Sequence, residues 1–226
     1  MKNLLKLIAA SLIAVPAMAT EIAPSRYKTP HSQGCMMMRE CTQDVIEITS
    51  SAQLADEFPY SAYSSYDEIM DETQQLIVEL NKMGVKVFLG DDKYFMRGVA
   101  GVYYTVGNNF FMNRTWADDP ITMIRTLRHE AWHAAQDAMA GTIENNNIAI
   151  IRSEEDVPTK YRIAATVAYG ENSPALPWEK EAKWAGGTPN MTLEVLRIIN
   201  RTNNRPWTEI EPTPLTRLWL ERNGYL

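Results

Sequence analysis

The chain of 226 residues is 45% hydrophobic and 22% charged, with a formal net charge of −6. This composition excludes a disordered chain, a collagen-like repeat and a disulfide-dense miniprotein. The acidic balance, with no long Lys/Arg cluster, argues against nucleic acid as the main partner.

In chain order, the first nineteen residues have the layout of a secretory signal peptide. Lys2 and Lys6 flank the start, residues 7–15 form a short apolar run, and Ala17-Met18-Ala19 supplies a small-x-small cleavage signal. The run is well short of the roughly 20 residues that span a bilayer. Cleavage after Ala19 would leave 207 residues with a net charge of −8, secreted or periplasmic, with no membrane span. In an oxidising compartment Cys35 and Cys41 favour a local disulfide, with two free thiols as the alternative. The bridge would staple an N-terminal arm over residues 20–60, ahead of a main domain over residues 61–226. The run Met36-Met37-Met38 within the arm reads as flexible packing.

A β-branched stretch at residues 44–49 predicts a strand. Residues 67–83 repeat apolar side chains at helical spacing, with Asp67 as the expected N-cap and Gly84 as the stop. A strand at 85–89 follows, then a hairpin over 99–113 turning at Gly107-Asn108-Asn109. Asp118-Asp119-Pro120 opens a long helix over 121–140, closed by Gly141. Further helices are expected at 159–168, 177–185, 192–200 and 214–221. The order of elements predicts an α+β fold.

The long helix carries His129-Glu130-Ala131-Trp132-His133, an H-E-x-x-H string. At 3.6 residues per turn, positions four apart share a face about 6 Å apart along the axis, so both imidazoles can reach one Zn²⁺. Glu130 is rotated about 100° from His129, beside the metal, where its carboxylate can act as general base. Catalytic zinc takes three protein ligands and leaves one position open. The chain has only three histidines. The metzincin extension fails, because Gln136 and Met139 stand where a glycine and a third histidine would be. His31 lies in the arm, which makes a downstream carboxylate the better candidate. Glu179 and Glu181 follow His133 by 46 and 48 residues on a short predicted helix.

This arrangement resembles the gluzincin metallopeptidases, whose third ligand is a glutamate on a helix beyond the H-E-x-x-H helix. In several such families the second helix reads E-x-x-A-D or E-x-x-A-N. Glu179-Lys180-Glu181-Ala182 matches E-x-x-A, which picks Glu179 as ligand and leaves Glu181 as the alternative. Lys183 departs from the acidic or amide residue that commonly supports a metal-binding histidine there. The resemblance covers residues 67–185. It implies a small metallopeptidase domain in which residues 109–113 form the sheet edge above the metal and pair with a peptide substrate by strand addition. Tyr169 or Tyr161 would stabilise the oxyanion, and Trp132, Trp178 and Trp184 would pack around the site.

The expected function is an exported zinc-dependent endopeptidase with His129, His133 and Glu179 as ligands, Glu130 as general base and Tyr169 as auxiliary catalytic residue. A catalytically silent zinc-stabilised binding protein is one alternative. A metal-dependent hydrolase of cell-wall or other non-protein amides is another.

Overall fold

The β-branched and aromatic runs of the first half form one four-stranded sheet. Its strands are β1 (Val45–Glu47), β2 (Lys86–Gly90), β3 (Gly101–Tyr104) and β4 (Asn109–Asn113), in the spatial order β1-β2-β4-β3. A computed structural model describes residues 33–40, 44–59, 61, 63–141 and 147–226. The expected signal segment, His31 and Cys41 lie outside the described residues.

Strands β1 and β2 pair antiparallel, β2 and β4 parallel, and β3 and β4 antiparallel. The hairpin forms as its turn residues predict, with Asn108 at φ 49°. The expected edge position of residues 109–113 is corrected: β4 is interior and β3 is the edge. The physical reason is visible in Asn109–Asn113, which is buried at every position. Phe110 and Met112 enter the main core, while Phe111 faces a second cluster with Phe88 and Val102. A strand that is apolar on both faces belongs inside a sheet.

Among the described residues there are nine helices: α1 (Gln33–Met37), α2 (Ser51–Asp56), α3 (Asp67–Lys82), α4 (Arg114–Ala117), α5 (Pro120–Met139), α6 (Thr159–Tyr169), α7 (Leu176–Gly186), α8 (Met191–Arg201) and α9 (Pro214–Arg222). The fold is thus α+β. Asp119 caps α5 by accepting from the Thr122 amide at 2.8 Å, and Pro120 fills the first helical position. Gly141, at φ 103°, follows its end. The start of α3 differs from expectation. Tyr66 occupies the cap without a side-chain hydrogen bond, and Asp67 lies in the first turn, where a carboxylate complements the helix dipole.

One large core joins the inner sheet face to α3, α5, α7 and α8. Ile48, Leu54 and Phe58 belong to it, so residues 44–58 of the expected arm are built into the fold. On the other sheet face Met36 and Met37 of α1 pack with Phe88 and Phe111, which accounts for two of the three methionines of the run, Met38 being exposed. Cys35 is disulfide-bonded. Among the described residues no helix is long and apolar enough to cross a membrane.

Helix α5 runs through the middle of this core, and every residue from Leu127 to Met139 is buried. That stretch includes Arg128, His129, Glu130, His133, Gln136 and Asp137. Burying so many polar groups is costly unless each finds a partner. Arg128 finds one outside the site: its guanidinium grips Glu72 of α3 through two contacts, at 2.8 and 2.5 Å.

Candidate metal centre

The one-turn spacing of His129 and His133 brings their rings edge to face, with centroids 4.9 Å apart. Their Nε2 atoms are separated by 3.3 Å. Helix α7 packs against this face and delivers Glu179, whose Oε2 lies 3.1 Å from His129 Nε2 and whose Oε1 lies 3.5 Å from His133 Nε2. Three donors held about 2.0–2.1 Å from one ion at tetrahedral angles stand about 3.3 Å apart; the His129–His133 and His129–Glu179 Oε2 separations, 3.3 and 3.1 Å, match that edge, with the other carboxylate oxygen turned to His133. Oε2 of Glu179 is buried with no hydrogen-bond partner. A buried carboxylate that turns one oxygen to each of two imidazole nitrogens is a donor set for a cation. Among the described residues this buried group can hold a metal ion.

The electrostatics agree with that reading. Burial opposes a charged imidazole at His133, but Glu179, with Glu130 and Gln136, raises its pKa to about 9. Burial likewise raises the pKa of Glu179, while His133 and His129 bring it down to about 2. The cluster therefore retains a proton that a divalent ion would displace on binding.

His133 is oriented by a further layer of contacts. His133 Nδ1 stands 2.7 Å from Gln136 Oε1, so its N–H is directed at the amide and Nε2 is left for the metal face. The Gln136 amide donates to Glu181 Oε2 at 2.8 Å. Glu181 also accepts from Trp132 Nε1 at 3.0 Å and from the amides of Ile151 at 3.2 Å and Arg152 at 2.6 Å. Burial nevertheless raises the Glu181 pKa to about 7. Glu181 is thus neither a solvated helix-face residue nor part of the triad: its oxygens tie α7 to α5 and to residues 151–152. Gln136 supplies the histidine support that Lys183 cannot. The polarity of Gln136 within a buried helix is the signal that could have identified it.

Glu130 is fully buried, and its Oε2 accepts the backbone N–H of Tyr103 in β3 at 2.9 Å. It is near enough to His133 for its charge to favour the protonated imidazole. Two glycines permit these approaches. A Cβ at Gly101 would stand 2.6 Å from Thr126 Cγ2 and 3.0 Å from Glu130 Cγ. A Cβ at Gly186 would stand 2.9 Å from the Arg125 carbonyl and 3.2 Å from His129 Cβ.

One turn beyond His133, Asp137 Oδ2 lies 2.8 Å from the Tyr103 hydroxyl, which is also 2.9 Å from Asn108 Oδ1. One phenol hydrogen cannot serve two acceptors. The conflict disappears if Asp137 is neutral and donates to Tyr103, which then donates to Asn108. Burial indeed raises the Asp137 pKa to about 8, against the hydrogen bond from Tyr103.

An open cleft of about 660 Å³ leads to His129. Gly98 and Ala100, just before β3, form part of one wall, and Tyr161 and Tyr169 of α6 stand with His129 in its lining. The Tyr161 hydroxyl donates to the Gly187 carbonyl at 3.2 Å. Of the three tryptophans expected near the site, Trp132 is fully buried beneath it, and the Trp178 carbonyl accepts from Gln136 at 3.4 Å. No protein-family model, curated protein or solved structure matches the chain.

Proposed function

We propose that the protein is an exported zinc-dependent endopeptidase of gluzincin type. The observation that carries this reading is the convergence of His129, His133 and Glu179 with tetrahedral-edge spacing, beside a buried glutamate and at the wall of an open cleft. Two imidazole nitrogens and one carboxylate oxygen are a donor set that suits zinc and leaves one position for reaction. When bound, zinc polarises a carbonyl and brings the pKa of a water to about 7.

The chain supplies the rest. Glu130, anchored by the Tyr103 amide, takes the proton of the attacking water and returns it to the leaving amine. Tyr169, which lines the cleft with His129, is the phenol assigned to the developing oxyanion. An extended peptide would lie along residues 98–100, which lead into the edge strand. The N-terminal signal layout supports a secreted or periplasmic setting.

Metal content and hydrolysis of an unfolded protein, measured side by side, test the reading. The wild type should bind one zinc per chain and cleave. Glu130→Gln should keep zinc and lose activity by roughly 10²–10⁴-fold, and Glu179→Ala should lose zinc. Undiminished hydrolysis by Glu130→Gln would overturn the mechanism. Stoichiometric zinc without cleavage of any peptide would point to a silent binding protein or a non-protein amide substrate.

A further inference from the structure

Three cations, Arg125, Lys160 and Lys183, line the cleft with His129. Among the described residues no acidic side chain lines it, and none of the three cations forms an ion pair. Arg125 acts at a distance on the Asp119 cap, Lys160 lies over the Tyr161 ring at 4.7 Å, and the nearby Glu154 is paired with Lys180. In a protein with a net charge of −6, like charges converging without ion-pair partners make a local positive potential that favours an anion.

Their place in the cleft can be read from the helix packing. Glu179 lies against His129 and His133, whereas Gly186 lies against Arg125 and His129, so α5 and α7 run antiparallel. Arg125 precedes His129 by four residues and Lys183 follows Glu179 by four. Each is therefore about one turn, or about 5–6 Å along its axis, from the triad, and both lie at the same end. Lys160 joins them there, because its neighbour Tyr161 bonds to Gly187 just past the end of α7. Tyr169, at the far end of α6, clusters with Leu176 at the start of α7, at the opposite end of the cleft.

We infer that the Arg125–Lys160–Lys183 end of the cleft binds a carboxylate one or two residues from the scissile bond. Extended chain advances about 3.3–3.6 Å per residue, which fits one or two steps from the metal. The carboxylate is supplied by an Asp or Glu side chain or by the terminus of the substrate. The word scissile rests on the peptidase reading; the anion site does not. Lys183, which departs from the acidic or amide residue of the resembling families, thus acquires a role in substrate selection.

Fluorescence anisotropy with zinc-loaded Glu130→Gln protein tests this through binding alone. The probes are labelled Ala-rich peptides with a central Glu, Gln or Lys, each with an amidated or free C-terminus. The Glu or free-carboxylate probe should bind at least about tenfold more tightly than its neutral counterpart, with the advantage shrinking between about 50 and about 500 mM salt. A gain from Glu in amidated peptides identifies a side chain as the source, and a gain only from the free end identifies the terminus. Lys183→Glu in the same background should invert the Glu-over-Lys preference, and Lys183→Met should remove much of it. Equal affinities for Glu, Gln and Lys probes, or an unchanged preference in Lys183→Glu, would overturn the inference. Tighter binding of a single-stranded oligonucleotide of like charge would do the same. If the charge preference holds while wild-type protein cleaves none of the probes, the peptidase reading fails and the anion site stands. If the wild type cleaves the probes without any charge preference, the anion site fails and the peptidase reading stands.

Discussion

Glu179 and Glu181 stand two positions apart on α7, yet their surroundings differ completely. Glu179 turns one oxygen to each of two imidazoles, whereas Glu181 accepts four hydrogen bonds from other partners. The first faces the two imidazoles; the second faces α5 and residues 151–152. Neither difference is encoded locally, since the donors to Glu181 come from α5 and from residues 151–152, so spacing alone could nominate both glutamates. Asp137 is equally silent in the sequence, because its partner Tyr103 is 34 residues away. It yields a pH prediction. Its folded pKa of about 8 lies above the ordinary 3.8, so between those values the folded state holds a proton that the unfolded state has lost. Stability contributed by this proton is complete below about pH 4 and falls as pH rises through that window, by a few kcal/mol in order of magnitude. Asp137→Asn keeps an N–H for the Tyr103 oxygen and cannot titrate. Its melting temperature should gain on wild type from pH 5 to pH 8, and parallel profiles for the two proteins would refute a neutral Asp137.

At the scale of elements, α5 is held between an edge strand and a helix, each brought close by a glycine. Gly186 sets the approach of α7 to His129, with a Cβ there 2.9 Å from the Arg125 carbonyl. Gly186→Ala should push the two ligand-bearing helices apart and weaken zinc binding about 10–100-fold, measured by competition with a chelating dye. Wild-type affinity in that variant would show that the helix spacing does not govern the metal. Long elements are legible because their signals are local and repeated. Helix α5 begins at an Asp-Pro pair, ends before Gly141 and carries its histidines four apart. The short α1, α2 and α4 span too few residues for periodicity to register. The interior place of β4 depends on a parallel partner contributed by β2, a non-local fact, though apolar residues on both of its faces already hint at burial. Resemblance nominates Glu179; packing of α7 on α5 is what brings it to the imidazoles.

For the whole molecule, a metal at this centre would join two helices that lie far apart in sequence and would bind only the folded chain. At a free zinc concentration about 100 times Kd, linkage adds about 2.7 kcal/mol, which for a domain of this size corresponds to roughly 5–10 °C in Tm. Calorimetry with zinc and with a chelator should show that difference in the wild type and little of it in Glu179→Ala. Equal melting temperatures in the wild type would exclude zinc as a stabilising ligand. His133 and Glu179 are 0% and 1% exposed, and of the triad only His129 lines the cleft. On the proposed function, ion and substrate would share the cleft as a doorway. An occupant of the cleft would then cork the metal in place, so on that proposal a well-seated peptide should slow the leakage of zinc to a chelator, and the empty cleft should release the ion most readily.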